Sequence, residues 1–184
     1  MAICKLNADL LRSTSCGYNL PEIVDLYLAN SEDVSGTSAF TDDSGCSQIT
    51  SITMATQTGA TGEIITAKFY HIEPLKNSAS FEDTLVVGDN GNKYRHAQIT
   101  FNIPGTYDAC KVGALDALSL GRYFVVAKTA DGNYLGFGRI APLEAETVTL
   151  AGGSDSNGIQ VVLSGNVAES PLPLSDAAVA VVLG

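Results

Sequence analysis

Tryptophan is absent from this 184-residue chain, and Lys and Arg together number 10 against 20 Asp and Glu. With a formal charge of -10 and no basic block, the chain cannot grip a phosphate backbone by counterion release, which argues against specific nucleic-acid recognition. Like charge would instead keep DNA off a surrounding wall. The only histidines, His71 and His96, have no second His or Cys at ligand spacing, so they read as surface or interstrand side chains rather than as a general base or metal ligands. Cys4, Cys16, Cys46 and Cys110 form no CxxC pair, so a disulfide framework is not expected and buried free thiols are the expectation. No apolar run reaches the ~18 residues of a spanning helix, so no membrane partner is expected. The N-terminal MAICKLNADLLRSTSCG lacks the apolar stretch of a signal peptide and carries Arg12 where one would sit. The chain is therefore expected to be made in the cytosol and not exported by a signal of its own.

What is present is apolar and lightly charged: 45% hydrophobic and 16% charged, against ~25% charged in ordinary domains. Such a surface suits a subunit that covers much of itself with neighbours. The length allows one domain, 1–184, with a substantial core. Acid is concentrated toward the ends: residues 1–67 carry -6, 68–139 carry +1 and 140–184 carry -5.

The chain is organised around Pro104 to Ile140. Pro104-Gly105 ends a strand, Thr106 is placed as an N-cap with Asp108 in the first turn, and Cys110, Ala114, Leu115, Ala117 and Leu118 recur on one side of a short helix. Gly121 is expected to supply a left-handed C′ residue. Arg122 to Thr129 then reads as a strand, Asp131-Gly132-Asn133 as a turn, and Tyr134 to Ile140 as the return.

Around this unit, residues 1–20 show no clear period and read as a possible N-terminal arm. Glu22 to Ala29 is a strand, with Val24, Leu26 and Leu28 on one face and Ile23, Asp25, Tyr27 and Ala29 on the other. Residues 30–47 are polar and read as a long loop with one large apolar side chain, Phe40, beside Asp42 and Asp43. Strands follow at Gln48 to Ala55 and Gly62 to Ile72, then a hairpin of Phe81 to Val87 and Tyr94 to Ile103. In its second arm Arg95, Ala97, Ile99, Phe101 and Ile103 alternate with His96, Gln98, Thr100 and Asn102. Glu146 to Leu150 and Ile159 to Ser164 form another hairpin, and Ala177 to Leu183, within 171–184, reads as a C-terminal strand. The expected fold is mainly β, a sandwich or barrel of about nine or ten strands with one short flanking α-helix.

Catalytic motifs fail on context. Gly136-Phe137-Gly138-Arg139-Ile140-Ala141 matches GxGxxG/A but lies in a returning strand, whereas a dinucleotide site needs its glycines to open a helix. Asp155-Ser156-Asn157-Gly158 lacks the bidentate Glu of a calcium loop and reads as a hairpin tip. Glu82 and Asp83 are neighbours on a strand and point to opposite faces, so they form no carboxylate pair. No catalytic, cofactor or metal residue is expected, and an enzyme is the weakest reading.

Three stretches carry a resemblance: Ile23-Val24-Asp25-Leu26-Tyr27-Leu28-Ala29-Asn30, KFYHIEPLKNSASFEDTL from Lys68 to Leu85, and ALSLGRYFVVAKTADGNYLGFGR from Ala117 to Arg139. Together they resemble tail-tube-like virion structural proteins of phages of Bacteroides-type gut bacteria, crAss-like phages among them, over most of residues 20–165. The resemblance implies a tail-tube fold that assembles into rings, usually hexamers, stacked around a DNA channel in the virion tail. Its implied partners are further copies of the chain, other tail proteins, and DNA that passes without specific binding. It also implies that the loop at 30–47 reaches an adjacent ring. The expected contact residues are Phe40, Asp42, Asp43, Val179, Val181 and Val182, the valines because an uncharged apolar end seeks a sheet or a neighbour. A tail adaptor or hub ring, and a β-sandwich binding module for a host surface ligand, are the competing readings.

Overall fold

The computed structural model describes residues 23–41, 46–58, 63–104, 109–152 and 157–184. The possible arm at 1–20, the contact candidates Asp42 and Asp43, and the capping pair Thr106 and Asp108 lie outside them, as does the Cys110 side chain. The elements run β1 (Ile23–Asn30), a 3-10 turn (Ser31–Asp33), β2 (Val34–Thr41), β3 (Ser47–Met54), β4 (Thr56–Thr58), β5 (Ile64–Thr66), β6 (Tyr70–Ile72), β7 (Ser80–Val87), β8 (Lys93–Pro104), α1 (Ala109–Leu120), β9 (Arg122–Thr129), β10 (Tyr134–Phe137), β11 (Leu143–Gly152), β12 (Asn157–Val167), β13 (Leu172–Pro173) and α2 (Asp176–Leu183). The chain is mainly β, as its sequence predicts.

Alternation in β8 and β12 does what a one-sided strand requires. Ala97, Ile99 and Phe101 pair with Gly165, Leu163 and Val161, and apart from the glycine all are buried on one face. The main sheet has the order β13-β10-β9-β11-β12-β8-β7, with β1 and β6 added beside β9. β9 is the branch point. Val125 to Lys128 pair with β10, whereas Arg122 and Tyr123 pair with β11. There the sheet folds over itself: Phe137 of β10 and Phe81 of β7, at distant positions in the strand order, meet edge-on with ring centroids 5.3 Å apart. The first core lies inside this fold, formed by Leu26, Leu28, Val125 and Phe137 from one side and Ile99, Phe101, Val161 and Leu163 from the other. Leu118 of α1 closes one end.

The other face of β1 and β9 is also dry. Tyr27, Ala29, Phe124 and Val126 form a second core with Ile49 and Ile52 of β3, Phe69, and Ala178 and Val182 of α2. Strands buried on both faces read as continuous apolar runs, which explains FVVA in β9 and LYLA in β1. A bulge between Ile23 and Asp25 shifts the parity of β1, so Ile23 joins Leu26 and Leu28 in the first core and Val24 is exposed, reversing the expected pairing of faces.

Four expectations are corrected. The long loop at 30–47 is a 3-10 turn followed by β2, which pairs with β3 as a hairpin; its described part has ladder bonds and is not irregular. The C-terminal run is the helix α2, not a strand: the Ser175 side chain accepts from the Ala178 N–H and caps it, and Ala178 and Val182, four residues apart, face the second core. The expected strand from Gly62 to Ile72 is two short strands, β5 and β6, with β5 paired to β4. Gly121 is not left-handed; it leaves room for the Tyr123 ring, since a Cβ there would fall 2.1 Å from the Tyr123 hydroxyl oxygen. That hydroxyl donates to the Ala117 carbonyl at 3.0 Å, tying the end of α1 to β9.

Candidate assembly surfaces

The β2–β3 hairpin starts from Asn30 and Asp33, where the Asn30 side-chain amide donates to the Asp33 carboxylate at 2.7 Å and the Ala55 N–H donates to the Asp33 carbonyl. The hairpin is held three ways along β3. Ile49 and Ile52 are buried in the second core, the Ser175 N–H donates to the Ile49 carbonyl at 2.9 Å, and the Ser175 hydroxyl donates to the Thr50 carbonyl at 3.2 Å. Ala39, opposite Ile49, and Phe40 and Thr41 just past it are exposed, and Phe40 leaves 58% of its surface open. Cys46, at the distal end of the same arm, is exposed rather than buried as expected.

Of the expected contact residues, the structure places Phe40 on this projecting arm. It places Val182 in the chain's own second core beneath the arm, with Val179 partly buried and Val181 exposed. So β3 and α2 meet, but Val182 is committed internally.

Two apolar surfaces have no counterpart in the expected set. β4 and β5 form a small ribbon on which Ile64 and Ile65 are 77% and 52% exposed. β7 ends the sheet, and among the described residues no strand lies on its outer side. Phe81, Leu85 and Val87 are 42%, 53% and 58% exposed there. They alternate with Glu82, Thr84 and Val86, and the signal available in the sequence was the lack of Pro or Lys in SFEDTLVV. The other ends of the main sheet are short: β6 has three residues, and β13 has two and includes Pro173.

Several ionisable groups are paired to one another. Asp25 accepts from His71 Nε2 at 2.9 Å and Lys128 Nζ at 3.2 Å. Burial pushes the Asp25 carboxyl up, but these two hydrogen bonds and charges outweigh it and hold it below its ordinary value. His71 also stacks on Tyr27 with centroids 4.8 Å apart, and burial together with the Asp25 carboxylate pushes the Tyr27 phenol up. His96 is an interstrand side chain, its Nδ1 3.1 Å from the Asn166 side-chain oxygen. Arg95 holds Asp83 through two hydrogen bonds of 2.9 and 2.8 Å from Nε to the two carboxylate oxygens. Arg139 similarly grips Glu169 with two parallel bonds. Gly136 lies inside β10, where a Cβ would come 2.7 Å from Ile49 Cδ1, so the glycine serves packing and not a phosphate.

On the solvent side of β8, β12 and β11, a row crosses the strands through Gln98, Ser164, Glu144 and Arg122. It borders an open hollow of about 500 Å³ that also touches Glu146 and Asn166. Arg122 Nε pairs with Glu144 at 2.8 Å, and Gln98 donates to Glu146 at 3.2 Å. Among the described residues, no three His, Cys, Asp or Glu side chains converge as a metal site, and no helix is long and apolar enough to cross a membrane. Three surfaces stand out among the described residues: an anchored arm with an open phenyl ring, an apolar sheet edge, and a polar sheet face. Set against protein-family models, curated proteins and solved structures, the chain matches none of them.

Proposed function

We propose that this chain is a non-enzymatic structural subunit that self-assembles into rings, stacking into a tail-tube-like conduit for DNA in a phage virion. The observation that carries this reading is the anchored arm. A hairpin held by a core and two hydrogen bonds as far as the Ala39–Ile49 pair, yet presenting Phe40 to water at the next pair, is built to meet a neighbour. The polar face of β8, β12 and β11 supports passage without binding. Arg122 of β9, at the border of this face, is paired with Glu144, and Glu146 adds negative charge, so phosphate meets no unpaired Arg among the described residues there.

The test is sedimentation velocity and electron microscopy of the purified chain, which are expected to show rings or tubes. Phe40→Ser is expected to shift the population toward free subunits while changing stability by no more than about 0.5 kcal/mol, as for other exposed positions. A wild-type chain that stays strictly monomeric at high concentration overturns the reading.

A further inference from the structure

We propose that β7 is a self-recognition edge: two copies of the chain pair antiparallel through it about a two-fold axis at Thr84. The proposal rests on the reading of the chain as a self-associating subunit, but not on ring formation.

A sheet end is normally kept short, charged, broken by proline or covered, because its open N–H and C=O groups otherwise recruit another strand. β6 and β13 are short, whereas β7 runs for eight residues without Pro or Lys, and its inward-facing charge, Asp83, is neutralised by Arg95. Length also selects the partner. β6 and β13 are too short to match β7, and β2, though also eight residues with a free edge, is broken by two register shifts, so the regular free edge among the described residues that matches β7 over its length is β7 of a second copy.

The register follows from faces and charges. Phe81, Asp83, Leu85 and Val87 lie on the core side, since Phe81 pairs with buried Ile99 and Asp83 with buried Ala97. Directly opposed residues in an antiparallel pair share a face, so the two residue numbers must have the same parity; a one-residue slip would set core-side against solvent-side residues. A two-fold at Glu82 or at Asp83 would place a carboxylate opposite its own copy, which is destabilising. A two-fold at Leu85 would pair fewer residues of the strand. At Thr84, Phe81 meets Val87 of the partner copy, Glu82 meets Val86, Asp83 meets Leu85 and Thr84 meets itself. The apolar side chains left open in one copy then form one continuous stripe across both. Asp83 enters that stripe already neutralised by Arg95. A two-fold contact closes on itself, so arranging such pairs around an axis needs a second, different contact, which the Phe40 arm supplies.

The experiment is oxidative cross-linking of Thr84→Cys in the full chain. Opposed residues in an antiparallel pair stand about 4.5–5.5 Å apart at Cα, within disulfide reach. Thr149→Cys, on the solvent side of β11, serves as the collision control. The expected result is a covalent dimer whose linked peptides contain position 84 from both chains, formed at least about tenfold faster than in the control. Leu85→Glu is expected to weaken association about tenfold with an unchanged melting temperature. If the wild type assembles but no 84–84 link forms, the two-fold edge is overturned and the assembly reading survives. If the link forms but only dimers are seen, the edge stands and the ring reading falls. A monomer at all concentrations overturns both.

Discussion

β9 and β7 are both eight-residue strands rich in β-formers, RYFVVAKT and SFEDTLVV, and they end in opposite circumstances. β9 has neighbours on both edges and a core on each face, with Tyr123, Val125 and Ala127 in the first and Phe124 and Val126 in the second. β7 has one neighbour, β8, and leaves Phe81, Leu85 and Val87 open. Equal propensity thus yields an internal scaffold in one place and a candidate contact in the other. What separates them is how many layers the topology stacks over each strand, which no local property of either segment encodes.

The sharpest way to break the contrast is to hollow out β9. Phe124 meets Phe69 edge-on at 5.9 Å and supports the second core on which the arm and α2 rest. Phe124→Ala is expected to cost about 3–5 kcal/mol in chemical denaturation and to loosen the arm, because a buried ring leaves a cavity that its neighbours only partly fill. A loss below ~1 kcal/mol would show that the second core is not structural.

A smaller effect is expected where β1 and β6 join β9. The Asp25 carboxyl sits below its ordinary value, so its unfolded form takes up protons first as the medium is acidified. Its contribution to stability is therefore present above the ordinary carboxylate range and is lost as pH falls through that range toward the lowered folded value. Asp25→Asn is expected to lower the melting temperature at pH 7 and to flatten the melting-temperature profile between about pH 5 and pH 2. An unchanged acid limb in the variant would assign the acid sensitivity to other carboxylates.

The least effect on the folded subunit is expected at β7 itself. Leu85→Ser is expected to change monomer stability by no more than about 0.5 kcal/mol, measured by urea unfolding, since the side chain is 53% exposed. A large loss would mean that Leu85 is packed in the solution fold, and β7 would then resemble β9 after all.

The fold class was legible because period-2 alternation follows directly from burial on one face. Arg95 to Ile103 shows it, and the buried Ala97, Ile99 and Phe101 bear it out. The turn at Gly132 was legible too, and its φ of 85° is what glycine makes inexpensive. Candidate contact surfaces were less legible. Phe40 could be singled out as the one bulky apolar residue in a polar stretch, but its hairpin could not, because a ribbon with both faces partly in water imposes no alternation. The segment Phe81 to Val87 read as one arm of a hairpin, and only the sheet order put it at an end.

The sequence alone determined a β-rich chain without a basic face and with apolar strands to pair, because composition and alternation act residue by residue. Tertiary structure decided what those segments became. Ala177 to Leu183 has valines that fit either a strand or a helix, and a run this short has no periodicity to arbitrate. The cap at Ser175 and the fit of Ala178 and Val182 onto the second core made it a helix. Likewise the bulge in β1 moved Val24 into solvent, and the branch at β9 created two cores where alternation implies one. Such outcomes depend on which surfaces lie opposite one another, and that is settled only when distant segments pack.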